Sequence, residues 1–529
     1  NQSGNLALNP QFSEANEIAS IEQHITPLTQ ELLDAAHALK KADPATRTEL
    51  LNQIKNIANS RKKLMIELAE KDSKAVKRHV IAPGLQKKLP SEVQAMLETE
   101  VTLEGTLEWT VADDFDKGSS KDEFFVASRR GGKTKVQMTD FPKAKTGDRV
   151  RIAAVEIDNS TIVASSSDVI VTAAADVSTN TVKKVAVIIF KQQGAKGNPP
   201  SVDDVRATMF TNSNSVKAYY QEASFGQWSL GGQLAPEGDI FGSYSIALGL
   251  QSCDIGGWAG QADAMAATDG FVASNYDNIV YIFPFNYPNT CTWGGLAQVN
   301  AKPGRAWINQ FLPGTIIHEL GHNYGLHHAG AFRCTDTSGT RVTISDNCVT
   351  QYQENGTNYS TEYHDSHDVM GSSQGQRHFG AYHKGQTVGT SPNWFTGSNT
   401  VTLDPATSVG GEYTLTPIEQ GGLGLKSLRI KRDYMVNGSL NNGYYYLEFR
   451  RPSFFDPYPT TSPIINGVLV RLASGYGVIN YSQLLDMTPT TTSSDQSLTA
   501  GKTFIDSAKG INITVQSVSE TEAKVNVSF

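Results

Sequence analysis

The stretch "HELGHNYGLHH" at residues 318–328 constrains the fold of this chain more strongly than any other part of its sequence. His318 and His322 are four residues apart, so on a helix both imidazoles project from one face and can bind the same zinc ion. Pro313 suits the first turn of such a helix. Glu319, next to the first ligand, can act as a general base and then as a general acid. The stretch therefore predicts a helix that carries a metal site.

A glycine and a third histidine complete the pattern. Gly325 predicts the end of the helix, because glycine adopts the left-handed backbone conformation that terminates many helices. After this turn His328 fits the spacing H-E-x-x-H-x-x-G-x-x-H as third ligand, and His327 is left to the pocket wall or to solvent. Chance gives the whole pattern in about two of a hundred thousand such chains, so solvated or core histidines are the weaker interpretation. Three ligands and an open fourth position are typical of a catalytic zinc.

Composition excludes several other classes of protein. The net charge of -8 and the isoelectric point of about 5.8 argue against a nucleic-acid-binding protein. No apolar run is long enough to span a membrane. Because the first residue is Asn rather than Met, we expect a secreted protein whose signal peptide has been removed. The sequence does not determine the oligomeric state.

The four cysteines all lie in the middle third of the chain, and their even number suits an exported protein. We expect the disulfides Cys253–Cys291 and Cys334–Cys348, since each closes a loop of modest length. The alternative is that the four are free, buried thiols.

Changes in hydrophobic periodicity predict a multidomain α+β protein. Residues 1–98 form a helical N-terminal region, and residues 99–172 form about five short strands of a small β-barrel similar to an oligonucleotide-binding fold. Residues 173–182 are small and polar, which indicates a linker. Residues 183–395 alternate strands with helices, as in an α/β domain. Residues 396–529 predict a C-terminal antiparallel β-sandwich.

The extended histidine motif resembles the signature of the metzincin metalloproteases. Their second mark is a methionine turn beneath the metal, and "HDVMGSS" at residues 367–373 supplies it with Met370. Within the metzincins the chain most resembles the gametolysin family. That resemblance spans roughly residues 183–390 and rests on "VKAYYQEASFGQWSL" (216–230), "GTIIHELGHNYGLHHAG" (314–330), "DVMGS" (368–372) and "HFGAYHKGQ" (378–386).

The resemblance implies a metzincin-like α/β catalytic domain with one zinc ion. It implies His318, His322 and His328 as ligands, Glu319 as the catalytic residue and Met370 as the turn residue. Some metzincins place a tyrosine two residues after the turn methionine, but here that position is Ser372. The charge of the transition state is then met by zinc alone or by another donor, and the candidates for such a donor are Tyr382, His378 and His383. The alternative is that these three side chains only pack the lower subdomain.

Two further segments have open interpretations. "TWGGLAQV" (292–299) is either the edge strand that pairs with an extended substrate or an ordinary loop near Cys291. The acidic residues of "EYHDSHD" (362–368) could bind calcium or form a solvated loop.

The N-terminal half could be an inhibitory pro-region, a targeting or docking module, or a structural support. No cysteine precedes Cys253, so a propeptide cysteine cannot block the zinc. A carboxylate could take that role, and "VADDFD" (111–116) offers Asp113, Asp114 and Asp116.

The leading functional hypothesis is a secreted zinc endopeptidase acting on extracellular protein. The resemblance implies matrix or cell-wall glycoproteins as substrates. A zinc amidase acting on cell-wall peptides would use the same chemistry, and would release wall fragments without cutting gelatin. A matrix-binding adhesin with a vestigial zinc site would be expected to lack the general base, whereas Glu319 is present.

Overall fold

A computed structural model describes most of the chain in two compact units. The described residues are 10–128, 132–175, 181–249, 253–285, 291–332, 334–344, 350–351, 362–371, 377–436, 439–491 and 495–529. The first unit comprises Asn1–Trp109 and Glu123–Ala175, and the second comprises Thr110–Asp122 and Asp176–Phe529. The short segment 110–122 therefore belongs to the second unit, although its sequence neighbours on both sides belong to the first.

The first unit begins with a helical region, as the sequence predicts. Its helices are α1 (Pro10–Leu39), α2 (Pro44–Lys71), α3 (Ser73–Val76), α4 (Pro83–Gln86) and α5 (Ser91–Gln94). Asp43 caps α2 by accepting hydrogen bonds from the backbone N–H groups of Ala45 and Thr46, which satisfies two donors that the helix itself leaves unpaired. The two long helices share apolar cores that contain Leu32, Ile54 and Leu68.

The strands that lie wholly or partly in the first unit form an open sheet. They are β1 (Thr99–Asp114), β2 (Ser119–Ala127), β3 (Lys133–Val136), β4 (Arg149–Asp158), β5 (Thr161–Val163) and β6 (Val169–Ala173). The order is β3-β2-β1-β4, and β5 and β6 both pair with β4. Among the described residues the ladders do not close into the expected barrel. The four-residue β3 meets β5 only near a single bridge, Gln137 to Val163.

The central part of the second unit has the expected α/β architecture. Its strands are β7 (Val182–Gln193), β8 (Ser229–Gly231), β9 (Asp239–Gly249), β10 (Asn278–Ile282), β11 (Gly295–Gln298) and β12 (Gly304–Ile308). The helices are α6 (Val202–Arg206), α7 (Val216–Ala223), α8 (Ile255–Ala267) and α9 (Pro313–Asn323). Strands β9, β7, β10 and β12 are parallel, and β11 is antiparallel to β12.

The apolar run "VAVIIF" at residues 185–190 explains why β7 lies at the centre of this sheet. All six side chains are buried, as is usual for a parallel strand covered on both faces. Alternate residues of the run join two different apolar cores. Val185, Val187 and Ile189 share one core with α7 and α9, whereas Ala186, Ile188 and Phe190 share the other with α8.

The rest of the second unit is dominated by strands. They are β13 (Ala329–Phe332), β14 (Cys334–Thr335), β15 (Arg341–Val342), β16 (Thr350–Gln351), β17 (Thr400–Leu403), β18 (Gly411–Leu415), β19 (Ser427–Lys431), β20 (Tyr434–Val436), β21 (Ser439–Asn441), β22 (Gly443–Phe449), β23 (Gly467–Ser474), β24 (Ser482–Leu485), β25 (Leu498–Thr499), β26 (Thr503–Asp506), β27 (Ile511–Val518) and β28 (Ala523–Ser528). A short helix, α10 (Ala381–Lys384), precedes β17.

Two of these sheets share one apolar core, so a layered C-terminal structure is present. The larger has the order β13-β24-β23-β22-β19-β17, with β25 beside β23, and the smaller is the antiparallel β18-β28-β27-β26. The expected purely antiparallel sandwich is wrong in one respect, because β17 is parallel to β19 and β13 is parallel to β24. Since β13 directly follows His328, the larger sheet also contains residues from both sides of the boundary predicted at residue 395.

One of the two expected disulfides, Cys253–Cys291, is present. The pairing of Cys334 with Cys348 lies outside the described residues. Within the described part of the chain, no helix combines the length and the apolar character that crossing a membrane requires.

A buried ion pair supports the first unit and generates a stability prediction. Arg61 lies 2.5 Å from Glu98, and both side chains are almost completely buried. Replacing Arg61 with leucine leaves the Glu98 carboxylate buried without its partner, which is expected to cost about 3–5 kcal/mol of stability. Hydrogen exchange of the α1 and α2 amides in the full chain measures this loss.

The matched control is Arg47→Leu, because Arg47 pairs with Glu92 on the surface, where their side chains are 39% and 44% exposed. A much smaller change is expected there, since water screens exposed pairs. Equal losses in the two variants would contradict the importance of the buried pair.

Candidate metal centre

Helix α9 presents the first two histidines. Pro313 is its first residue and Gly325, with a φ of 76°, reverses the chain just after it. A Cβ on Gly325 would lie 3.0 Å from Asn300, so both conformation and space favour glycine there. His318, His322 and His328 are all fully buried.

Each of the three histidines is fixed by a hydrogen bond at Nδ1. The acceptors are the carbonyl of Val369 for His318 at 2.9 Å and the carbonyl of Leu326 for His322 at 2.8 Å. For His328 the acceptor is a Glu362 oxygen at 3.1 Å. A carbonyl only accepts, so Nδ1 of His318 and of His322 carries the ring proton and leaves the Nε2 lone pair for a metal. Burial lowers the pKa of His328, but Asp113 and Glu362 raise it to about 10, so a metal would displace the proton on its Nε2.

The fourth group of the centre is Asp113. Its Oδ1 lies 2.9 Å from His328 Nε2, and its Oδ2 lies 3.3 Å from His322 Nε2 and 3.8 Å from His318 Nε2. Burial raises the pKa of Asp113, but the charges of His328 and His322 outweigh this effect and hold it well below its usual range. Asp113 is thus the member of the predicted acidic trio that the structure brings to the histidines.

These four side chains fit a metal ion. Their ligand atoms all lie within 4.8 Å of one another. Asp113 Oδ2 and His318 Nε2 are buried without a hydrogen-bond partner among the described residues, which is costly unless a cation binds them. Three imidazoles and one carboxylate also form a donor set that zinc accepts in tetrahedral sites.

Backbone pairing positions Asp113. Residues 110–113 form an antiparallel ladder with β11, in which Thr110 faces Gln298 and Asp113 faces Gly295. The Gly294 N–H donates to the Asp113 carbonyl at 2.7 Å. Of the two interpretations of residues 292–299, the structure has a strand over Gly295–Gln298. The segment 110–113 of the same chain pairs with the side of this strand that faces away from β12.

Side chains further along the segment 110–122 strengthen the attachment. Phe115 packs edge-on against His318 with 5.1 Å between ring centroids. The backbone N–H and the hydroxyl of Ser120 both donate to Glu362. Asp122 lies 3.3 Å from Nε2 of His327, which is buried rather than in solvent.

Glu319 lies beside the same centre in an apolar setting. It is fully buried, and neither carboxylate oxygen has a hydrogen-bond partner among the described residues. Burial, followed by the charge of Asp113, raises the pKa of Glu319 well above its usual range. A Cβ on Gly295 would collide with this carboxylate, so glycine in β11 creates the space that Glu319 occupies. An unpaired carboxylate in this position can exchange a proton with a reacting group.

The turn that contains Met370 packs against helix α9. A Cβ on Gly321 would be 2.5 Å from the Met370 sulfur, and Met370 is completely buried. Asp368 accepts a hydrogen bond from the Met370 N–H at 2.9 Å. Because Val369 supplies the acceptor for His318, the turn also orients one member of the candidate metal-binding group.

The three residues suggested as transition-state donors have partners elsewhere. The Tyr382 hydroxyl donates to the Val478 carbonyl at 2.8 Å. His378 lies 2.9 Å from Glu222, and His383 Nδ1 lies 2.8 Å from Asp368. These contacts match the packing alternative rather than a catalytic role. Ser372 lies outside the described residues.

Tyr363 is the residue at the centre that sequence reasoning missed. Its hydroxyl donates to Asp113 Oδ1 and lies 3.1 Å from His328 Nε2. It belongs to the acidic segment considered for calcium. Its position in the sequence between the third histidine and the methionine turn was the one feature that could have suggested a role at the site. The carboxylates of that segment have protein partners: Glu362 as above, Asp365 with Arg471 at 2.6 Å, and Asp368 with His383. None belongs to the metal-binding group found among the described residues.

Loss of the Glu362 carboxylate tests the orientation of His328. Glu362→Ala is expected to weaken zinc affinity by about 10- to 100-fold, the usual effect of removing a hydrogen bond to a ligating histidine. Competition with a chelator measures the affinity of the full chain. Glu412→Ala, at an exposed position of β18, is the control and should keep the parent affinity. Equal affinities in the two variants would contradict the orienting role of Glu362.

Comparison with known proteins agrees with this centre. Serralysin G of Dickeya chrysanthemi is 40% identical over 65 residues, a match that covers 12% of this chain and 14% of that protein. The model of the gametolysin peptidase M11 family matches residues 184–451, more than half of the 529 residues. That match contains the three histidines, Glu319 and the methionine turn, and the chain therefore belongs to the gametolysin peptidase family.

Proposed function

We propose that this protein is a secreted zinc metalloendopeptidase, held latent by Asp113. The observation that carries the proposal is the convergence of three Nε2 atoms beside an unpaired glutamate, with the Asp113 carboxylate at the remaining position. Membership of a peptidase family supports the reaction type. The proposal treats the first unit, together with the segment 110–122, as the inhibitory pro-region.

His318, His322 and His328 would hold the zinc ion. When bound, zinc lowers the pKa of a coordinated water toward 7 and polarises a carbonyl group. Hydrogen bonds at the three Nδ1 atoms hold the imidazoles with their Nε2 atoms turned toward one position before any metal arrives. The site is thus organised in advance for its cofactor.

Glu319 would move the proton. Its carboxylate takes a proton from the attacking water and then delivers it to the nitrogen of the leaving amine. By geometry, neither Glu319 oxygen makes a hydrogen bond to another described residue, so the carboxylate is available to the attacking water. Exclusion of water from the buried site strengthens every electrostatic contact there.

Latency would follow from two contacts made by one segment. Asp113 occupies the metal-facing position, and residues 110–113 occupy the outer side of β11. An extended substrate that adds a strand at β11 would form backbone hydrogen bonds irrespective of its side chains. It therefore cannot bind until this segment leaves, and cleavage after the pro-region is the expected route of activation.

Secretion and an extracellular protein substrate complete the proposal. The Cys253–Cys291 disulfide supports export, because such bonds persist mainly in oxidising compartments. Recognition through backbone pairing favours unfolded or extended segments, as in matrix or cell-wall proteins. The zinc amidase and the vestigial adhesin have no separate observation in their favour.

The decisive experiment compares cleavage of gelatin and of a quenched peptide by four zinc-loaded full-length proteins: the parent, Asp113→Ala, Asp116→Ala and Asp113→Ala/Glu319→Ala. Removing Asp113 should raise the rate at least about tenfold, because a hydrogen bond to a charged group is worth about 1.5–3 kcal/mol. Adding Glu319→Ala should then lower the rate by about 10²–10⁴.

Asp116 is exposed in the same segment, so its replacement is the control and should leave the parent rate unchanged. Equal rates for the Asp113 and Asp116 variants would refute latency through Asp113. Release of cell-wall fragments without gelatin cleavage would indicate the amidase instead. Activity that survives the loss of Glu319 would refute its role as the base.

A further inference from the structure

The Tyr363 hydroxyl faces the candidate metal-binding group, and peptide hydrolysis by zinc and Glu319 as proposed above does not use it. The side chain is 7% exposed. Its ring packs against His328 and His318, with centroids 4.4 and 6.0 Å away. Its hydroxyl contacts Asp113 Oδ1 and His328 Nε2. The phenol is the donor in the contact with Asp113, because a carboxylate can only accept.

We take the position of Asp113 Oδ1 as the position of the substrate carbonyl oxygen in the active enzyme. This oxygen is 2.9 Å from His328 Nε2, and it belongs to a segment that pairs with β11 where the proposed function places the substrate. When the segment leaves, the hydroxyl loses its acceptor while its ring stays packed on the two histidines. A donor already aimed at this position costs no reorganisation during the reaction.

We propose that Tyr363 is a catalytic residue that donates a hydrogen bond to the substrate carbonyl oxygen as it becomes negatively charged. The inference rests on the proposed peptidase function. In the reaction, the water oxygen forms a bond to the carbonyl carbon, and the carbon–nitrogen bond then breaks. The water proton passes through Glu319 to the amine. The phenol keeps its own proton throughout and stabilises only the charge on oxygen.

The residue next to Tyr363 holds it in place. Glu362 accepts from His328 Nδ1 at 3.1 Å and from the Tyr481 hydroxyl at 3.3 Å. Phe115, whose ring centroid is 6.1 Å from that of Tyr363, leaves with the inhibitory segment. The three donors considered from the sequence are instead held by Val478, Glu222 and Asp368, so among the described candidates Tyr363 alone faces the site.

The test uses the zinc-loaded full chain with Asp113→Ala as parent, and adds either Tyr363→Phe or the control Tyr382→Phe. Each change removes one buried hydroxyl, but that of Tyr382 contacts Ser474 and Val478. Tyr363→Phe should lower kcat about 10²–10³-fold, the usual effect of losing one such donor. Its KM and zinc content should stay near those of the parent, and Tyr382→Phe should keep the parent kcat.

A second measurement does not depend on turnover. Calorimetry gives the affinity of a phosphinic peptide, whose tetrahedral anion resembles the transition state. Tyr363→Phe should weaken this affinity by about the same factor as kcat/KM, because transition-state analogues report interactions made only in the transition state. Tyr363→His keeps a ring N–H donor and, if the phenylalanine variant does not fold, should stay within about tenfold of the parent.

These arms separate failure of the inference from failure of the proposed function. If the parent cleaves peptides and Tyr363→Phe matches it in kcat and in phosphinate affinity, the role of Tyr363 is refuted and the peptidase stands. If the parent cleaves nothing, the proposed function fails, and unchanged phosphinate affinity in Tyr363→Phe refutes the role of Tyr363 as well. A rise in KM with unchanged kcat would also refute it, since that pattern reports ground-state binding.

Discussion

The candidate metal centre depends on three hydrogen bonds that the histidines make at Nδ1, the ring nitrogen that faces away from the centre. His318, His322 and His328 each donate from Nδ1, and the three acceptors come from the methionine turn, the loop after α9 and Glu362. Without these acceptors the rings could rotate or change tautomer, and the Nε2 lone pairs would not converge. Asp113, Tyr363 and Glu319 can act at one common site only because the three Nε2 atoms are held together.

A buried network of charges supports the turn that supplies one of these acceptors. Arg471 contacts Asp365 at 2.6 Å, and Arg450 donates to the His367 carbonyl at 2.7 Å and contacts Asp456 at 2.6 Å. Both arginines are completely buried. Burying charges is expensive unless every partner is present, so this arrangement permits little movement of the turn. Arg471 belongs to β23, and Arg450 directly follows β22. The larger C-terminal sheet therefore helps to fix the turn whose Val369 carbonyl orients His318 on α9.

The parts of the site that local spacing determines could be predicted from the sequence, and the parts that long-range pairing determines could not. The helical repeat and the left-handed turn at Gly325 place the first two histidines and direct the chain toward His328. A carboxylate from 111–116 could be suggested, but choosing Asp113 over its neighbours requires the register of its ladder with β11. Tyr363 was missed because no fixed spacing links it to the histidines.

Fold prediction succeeded and failed for related reasons. Residues 185–190 correctly predicted a buried central strand, because a parallel strand covered on both faces needs a continuous apolar run. The barrel expected at 99–172 was not closed, since the ladder involving the four-residue β3 is too short to complete it. The parallel placement of β13 beside β24 joins residues about 150 positions apart, and no local pattern encodes such a contact.

The pairing of residues 110–113 with β11 also bears on aggregation. An unpaired outer strand presents a row of N–H and C=O groups that can template association with another chain. While the segment is in place, these groups of β11 are satisfied within the same molecule. If the segment leaves, as the proposed function requires, this backbone edge and the candidate centre would become exposed together. Because β11 has only four residues, the exposed edge is short. A second molecule could form few backbone hydrogen bonds with it, which limits aggregation through this strand.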